Sequence, residues 1–409
     1  MIVLSGAALV LPDRILTPGT LTVDGDRIVD IRSGPASGAP GRDAAGARAF
    51  VFDHHYIVPG FIDVHVHGVE GFDTLDDGNP VAAMAARLPR YGVTAFCPTT
   101  VACAPDALAR MLQDVRLARN TPRSRSARVL PAHLESNFIN AEFRGAQPMA
   151  CLRSPRAALT RPPTPGHDGP GRFSAADILA EIERAGADVG IVTLAPELEG
   201  GLDLVRWIAS HGPRVSLGHS GASFEEGLEA IAAGARHATH LFNRMPPLGH
   251  RAPGLVGAVL QSEEIAAEVI CDGYHVHPAL VRTAVAAKGA SRVMAITDGT
   301  AVSGLPAGTR AALGGQPITA GESAALLDDG TLAGSALTMD RAFQTLVGKM
   351  KLSIVDAARL CSTTAASELG LAGHGVLARD AIADIVVLDG GFSVVQTYVA
   401  GQLVYSRTA

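Results

Sequence analysis

The chain has 409 residues, 47% of them hydrophobic and 18% charged, with a formal net charge of −6. That length suits one barrel-sized domain plus a small one. The acidic balance and the lack of any Lys/Arg run argue against nucleic-acid or anionic-membrane partners, and no apolar stretch reaches the length of a membrane span.

Residues 1–11 are apolar without a basic leader, which reads as a strand and not a signal peptide. Residues 21–31 form a hairpin pattern with Asp24-Gly25 at the turn. A Gly-, Ala-, Pro- and Ser-rich segment at 33–47 is expected to be a loop. The texture then changes. Apolar runs at 58–66, 95–97, 128–132, 189–194, 215–217, 268–270 and 293–296 alternate with helical patterns. Those patterns fall at 81–91, 107–119, 175–185, 202–210, 224–233 and 278–288, with a Pro/Gly-rich surface loop at 161–173. Strand–turn–strand patterns return at 383–391 and 394–404. Repeated strand-then-helix units imply a parallel sheet, and about eight of them imply an α/β fold of the (β/α)8, TIM-like barrel type. The expected organisation is a barrel over 58–375 and a small β-sandwich domain assembled from 1–57 and 376–409. Five cysteines without a CxxC spacing point to reduced thiols in the cytoplasm, not to disulfides or a zinc finger.

In such barrels chemistry gathers where strands end. His65 and His67 close the 58–66 run, and residues two apart on a strand share a face, so both rings can grip one ion. His133 and Glu135 close the next candidate strand, His219 follows 215–217, His240 follows Ala238-Thr239, and Asp298 follows 293–296. A single strand-end histidine is usually structural. Imidazoles and carboxylates recurring at successive strand ends instead form a ligand set for a divalent ion. His54 and His55 belong to a turn, His237 and His250 are expected to be structural, and one of His275 and His277 as well. None of the three lysines (288, 349, 351) lies at a candidate strand end, so no carbamylated-lysine bridge between ions is expected.

Several segments carry a family resemblance. They are Pro59-Gly-Phe-Ile-Asp-Val-His-Val-His-Gly68, Leu217-Gly-His-Ser-Gly-Ala222, Thr239-His-Leu-Phe-Asn-Arg-Met-Pro246, Arg251-Ala-Pro-Gly-Leu-Val-Gly257, Cys271-Asp-Gly-Tyr-His275, Ile296-Thr-Asp298 and Leu332-Ala-Gly-Ser335. Over nearly its full length the chain resembles the N-acetylglucosamine-6-phosphate deacetylase family of the amidohydrolase superfamily. The resemblance implies that Glu135, His219 and His240 hold a principal metal and His65 and His67 a second. That metal is zinc by preference, with Fe2+, Co2+ or Mn2+ as alternatives. It implies Asp298 as catalytic acid/base, and Asn243, Arg251 and His275 as contacts to the sugar phosphate. Ala146, Gln147, Asp272, Leu332, Ala333 and Gly334 would line the pocket, with Arg244 in its wall. It further implies a homodimer in which Arg251 reaches the neighbouring site.

The chain departs from the family pattern beside the substrate. Ser136-Asn137 replaces the usual Gly-Pro after Glu135, Gln147 stands where a histidine is usual, and Arg244 stands where a small residue is common. These changes keep another N-acetylated amino-sugar phosphate, such as the galactosamine epimer, open as substrate. A cyclic-amide or deaminase-type amidohydrolase and a non-catalytic relative are the further alternatives. The last of these would lose ligands that this chain retains.

Overall fold

The computed structural model describes residues 1–34, 41–42, 48–160 and 173–407, so most of the loops expected at 33–47 and 161–173 lie outside them. Eight parallel strands form the barrel: β1 (Phe61–Val66), β2 (Val93–Thr100), β3 (Ala132–Glu135), β4 (Val189–Leu194), β5 (Arg214–Leu217), β6 (His237–Ala238), β7 (Ala266–Ile270) and β8 (Val293–Ile296). Each pairs with the next. The Asp298 amide donates to the His65 carbonyl at 3.0 Å, and a parallel bridge joins Val66 to Gly299, bringing β8 round to β1. Every residue of β1, β2, β3, β7 and β8 is buried. Strands covered by helices on one face and by packed side chains on the other have no solvent side, so they read as apolar runs and do not alternate.

The helices expected at 175–185, 224–233 and 278–288 are observed as Ala175–Ala185, Phe224–Ala233 and Pro278–Lys288. Ser174 with Asp177, and Ser223 with Glu226, form reciprocal capping boxes that fix the first two starts. The longest of the helices not anticipated are Gly254–Gln261 and Met339–Gly348. The first opens on glycine and contains Gly257, so propensity and capping give no signal there.

The run expected as one strand at 58–66 is two. Tyr56–Pro59 pairs antiparallel with Ile385–Leu388, and β1 begins only after Gly60. Gly60 lies so close to Thr94 that a Cβ would come within 2.3 Å of its hydroxyl oxygen. The terminal sheet runs Gln402–Ser406, Val394–Val399, Ile385–Leu388, Tyr56–Pro59, Ile2–Val10, Ile15–Asp24, Arg27–Ser33. It folds around its own core, which includes Leu4, Leu21, Ile57, Ile385 and Tyr398. The molecule is thus a TIM-like barrel with a β-sandwich-type domain built from both ends of the chain.

A four-stranded antiparallel sheet over 310–335 was also unforeseen. Its last strand, Leu332–Ser335, is tied to the barrel mouth by the Ser335 amide, which donates to the Asp298 carbonyl at 2.8 Å. Among the described residues no helix is long and apolar enough to cross a membrane.

Candidate active site

The strand ends converge on one point. Glu135 Oε1 lies 2.8 Å from His219 Nε2 and 2.9 Å from His240 Nε2, and the two ring nitrogens are 3.0 Å apart. His67 Nε2 stands 3.4 Å from Glu135 Oε2 and 3.2 Å from Asp298 Oδ1. His65 Nε2 lies 3.2 Å from His67 Nε2 and 3.4 Å from Asp298 Oδ1. Glu135, His219 and His240 form one potential ligand group, and His65, His67 and Asp298 another. Glu135 faces both.

Ring tautomers show what belongs there. His219 Nδ1 donates to the Phe143 carbonyl at 2.8 Å, which leaves a lone pair on Nε2. That lone pair faces a carboxylate oxygen and another ring nitrogen, an arrangement that needs positive charge between them. His65 is set the same way: its Nδ1 donates to Glu268 Oε2 at 2.9 Å and its Nε2 faces Asp298 and His67. His67 and His240 have buried Nδ1 atoms with no hydrogen-bond partner, so these rings are held through Nε2. Imidazoles with lone pairs converging on carboxylates fit a divalent cation.

Without such an ion, protons take the role. Burial opposes charge on His65, but Glu268, Asp298 and Glu135 outweigh it and raise the ring to about 9. Burial likewise opposes charge on His67, which hydrogen bonds to Asp298 and Glu135 raise to about 10. For Glu135 burial favours the acid, yet His219, His240 and His67 hold it well below the usual carboxylate range. For Asp298 burial is again overcome, here by His65 and His67, and the group is held low.

Two carboxylates that organise this cluster went unread in the sequence. Glu268 sits on β7, fully buried, the one charge in Ala266–Ile270. It accepts from His65 through Oε2, from the His240 amide at 3.1 Å, and from His237 Nε2 through Oε1 at 2.8 Å. A carboxylate at a fully buried strand position must be paired, and that was the available signal. Asp63 accepts from the Thr297 hydroxyl at 2.6 Å and from the His65 amide at 3.2 Å, fastening β8 to β1 beside the ligands. Burial, only partly offset by these bonds, raises its carboxyl to about 6. His133 donates from Nδ1 to the Val64 carbonyl at 2.9 Å and accepts at Nε2 from the Thr193 hydroxyl at 2.8 Å, and so supports the strand ends.

Above the cluster opens a pocket of about 240 Å3. Ala146, Gln147, Asn243, Arg244 and His275 line it, as do Leu332 and Gly334. Three expected residues lie elsewhere. Ala333 points into the core of the four-stranded sheet, because successive strand residues face opposite ways. Asp272 is buried and accepts from the Tyr274 and His275 amides and from His275 Nδ1 at 2.6 Å, so it orients His275 from behind. Arg251 is exposed, bonded to His250 at 2.8 Å and outside its own chain's pocket wall. Of the neighbouring pair, His277 caps the helix Pro278–Lys288 and His275 borders the pocket. Gln147 is pinned: the Ala102 amide donates to its Oε1 at 2.7 Å, which turns its NH2 group onto Glu135 Oε2.

The loops that present these groups are strained. His219 (φ 48), His240 (φ 28), Phe242 (φ 79), Arg244 (φ 52) and Asp298 (φ 48) all adopt left-handed backbone without being glycine. Such residues persist where surrounding contacts over-determine them, and they concentrate at functional sites.

The Amidohydrolase family model matches residues 203–404. The chain is 34% identical to N-acetylglucosamine-6-phosphate deacetylase of Lysinibacillus sphaericus, over 85% of this chain and 85% of that protein. To the Homo sapiens protein of the same name it is 36% identical, over 97% of this chain and 90% of the other. The crystal structure of the Thermotoga maritima deacetylase matches at TM-score 0.82 and 28% identity, covering 99% of this chain and 100% of that one. A mutant of the Mycobacterium smegmatis deacetylase in complex with N-acetyl-D-glucosamine-6-phosphate matches at TM-score 0.85 and 28% identity over 99% of each chain. With likeness of this degree over nearly the whole length, and a buried His/Glu/Asp cluster at the barrel mouth, the chain belongs to the N-acetylglucosamine-6-phosphate deacetylase family of amidohydrolases.

Proposed function

We propose that the chain hydrolyses the N-acetyl group of N-acetylglucosamine-6-phosphate, giving glucosamine-6-phosphate and acetate. The observation that carries this reading is the convergence of Glu135, His219, His240, His65, His67 and Asp298 beneath one pocket, in a chain of this family. Glu135, His219 and His240 would hold the principal divalent cation, and His65 and His67 a second, with Glu135 between them. Zinc suits imidazole and carboxylate donors, and iron, cobalt or manganese would be accepted by the same set. When bound, the cation supplies Lewis-acid polarisation of the acyl oxygen and lowers the pKa of water to about 7.

The side chains do the rest. Asp298, a carboxylate beside the cluster and ionised at neutral pH in its ordinary range, accepts a proton from the attacking water. The water oxygen bonds to the acyl carbon, the C–N bond breaks, and Asp298 returns the proton to the leaving amine. Gln147 keeps Glu135 oriented and carries no charge at any pH. His275, braced by Asp272, and Asn243 border the space for the sugar phosphate. Arg251, exposed and outside its own pocket, suits a homodimer in which it serves the neighbouring site. Five free cysteines are consistent with a cytoplasmic enzyme.

Acetate release from a panel tests the reading. The panel comprises N-acetylglucosamine-6-phosphate, its galactosamine epimer, unphosphorylated N-acetylglucosamine and a cyclic amide. Turnover led by the first supports it. Turnover led by the epimer moves the assignment to the other sugar, and turnover of the cyclic amide alone refutes it.

A further inference from the structure

We propose that Arg244 is a cation with which this chain itself reads the anionic end of its substrate, beside whatever a neighbouring subunit adds. The inference rests on the deacetylase reading above and adds a specificity residue to it.

Arg244 lies on the loop that follows β6, the same loop that carries His240 and Asn243. Among the described residues it is the one arginine or lysine in the pocket wall. It is half-buried, and among the described residues it pairs with no carboxylate; its one side-chain hydrogen bond there is a long one, Nη2 to the Leu332 carbonyl at 3.5 Å. A half-buried guanidinium facing a pocket without a carboxylate partner has its donors available to an anion that arrives with a ligand. The carboxylates on the wall, Glu135 and Asp298, are committed to the histidine cluster, and His275 is hydrogen-bonded to Asp272.

The surroundings are shaped to keep Arg244 there. Its backbone is left-handed (φ 52), and its carbonyl accepts from the Ser220 amide at 3.1 Å, which ties the loop to the end of β5. Opposite, Gly145 (φ +60) packs against the guanidinium, and a Cβ at that position would come within 2.5 Å of Arg244 Nε. Any side chain at 145 would therefore displace the arginine. The free edge of the guanidinium presents a planar fork of donors, which matches a phosphate monoester better than a lysine ammonium would.

The test is steady-state kinetics of wild type, Arg244→Gln and Arg244→Lys on N-acetylglucosamine-6-phosphate and on unphosphorylated N-acetylglucosamine. Inorganic phosphate serves as a competitive inhibitor. Arg244→Gln is expected to raise KM for the phosphorylated sugar by roughly tenfold or more, with the preference over the unphosphorylated sugar falling in step. The inhibition constant of phosphate should rise with it. Arg244→Lys keeps the charge and loses the fork, so it should fall between the two. It also provides the reading if the glutamine variant does not fold. A preference ratio and phosphate inhibition unchanged in the folded variants overturn the proposal, as does a loss confined to kcat. Wild-type enzyme that does not turn over the phosphorylated sugar overturns the deacetylase reading itself, a different result from the first.

Discussion

Replacing Glu268 with glutamine removes one charge from the barrel axis at nearly constant volume. The carboxylate now receives three N–H donors: His65 Nδ1, the His240 amide and His237 Nε2. In the glutamine side chain one acceptor oxygen becomes an NH2 group, which must face one of those donors. Facing His237 is the milder outcome, since that ring can move its proton to Nδ1, a buried atom without a partner that lies 4.0 Å from Glu368 Oε1. The remaining loss falls on His65, whose Nε2 becomes a weaker donor once the anion behind Nδ1 is gone. Partners of this kind are worth about 10–100-fold in metal affinity, or roughly 1.4–2.7 kcal/mol. Glu268→Ala is more severe, because three buried donors lose their acceptor at about 1–3 kcal/mol each. The assay is chelator competition on the purified protein, with metal counted by mass spectrometry and folding checked by thermal melting. Glu268→Gln that folds and binds metal as tightly as wild type would refute the claim that Glu268 sets the His65 tautomer.

Asp298→Asn keeps the shape and removes the base; kcat should fall by about 10²–10⁴-fold while most of the metal stays bound, and a variant retaining near-normal kcat would remove Asp298 from proton transfer. Gln147→Leu leaves the Ala102 amide and a Glu135 oxygen without their buried partner; a stability loss of about 1–3 kcal/mol for each group and weaker metal retention are expected by denaturant unfolding and metal analysis. The pH response of chelator-treated protein follows from His65 at about 9 and His67 at about 10. Both lie above the ordinary value of 6.5, so the folded state keeps protons that the unfolded chain releases. Their contribution is complete below 6.5 and disappears as pH rises through 9 and 10. The melting temperature of the metal-free protein should therefore drop across that window, and metal uptake at neutral pH should release protons measurable in weak buffer. A flat profile would mean that the two rings are neutral.

His65, His67, Glu135, His219, His240 and Asp298 were legible because each ends an apolar run, and a barrel turns run-ends into one circle of neighbours. Glu268 and Asp63 were not, although both lie in barrel strands. They sit within β7 and β1 and not at the strand ends, where a single charge disturbs the pattern too little to be noticed. The sheet over 310–335 stayed hidden because its strands are only four or five residues long and rich in Ala and Leu, with Ile318 and Thr319 as their only β-branched residues. Gly60 marked the break between the two sheets, but an apolar strand on either side made one run of two. The family resemblance brought His275 and Asp272 forward together. Only the geometry separates the residue that borders the pocket from the one that braces it.

The pairing of Tyr56–Pro59 with Ile385–Leu388 has a consequence for how the molecule is made. A growing chain delivers His65 and His67 early, on a strand whose upstream neighbour waits for a partner synthesised far later. Until residues 385–388 emerge, Tyr56–Pro59 lacks that antiparallel neighbour, and the segment leading into β1 is anchored on one side only. The strand that leads into His65 and His67 thus takes one of its two neighbours from a segment more than 300 residues away in the chain.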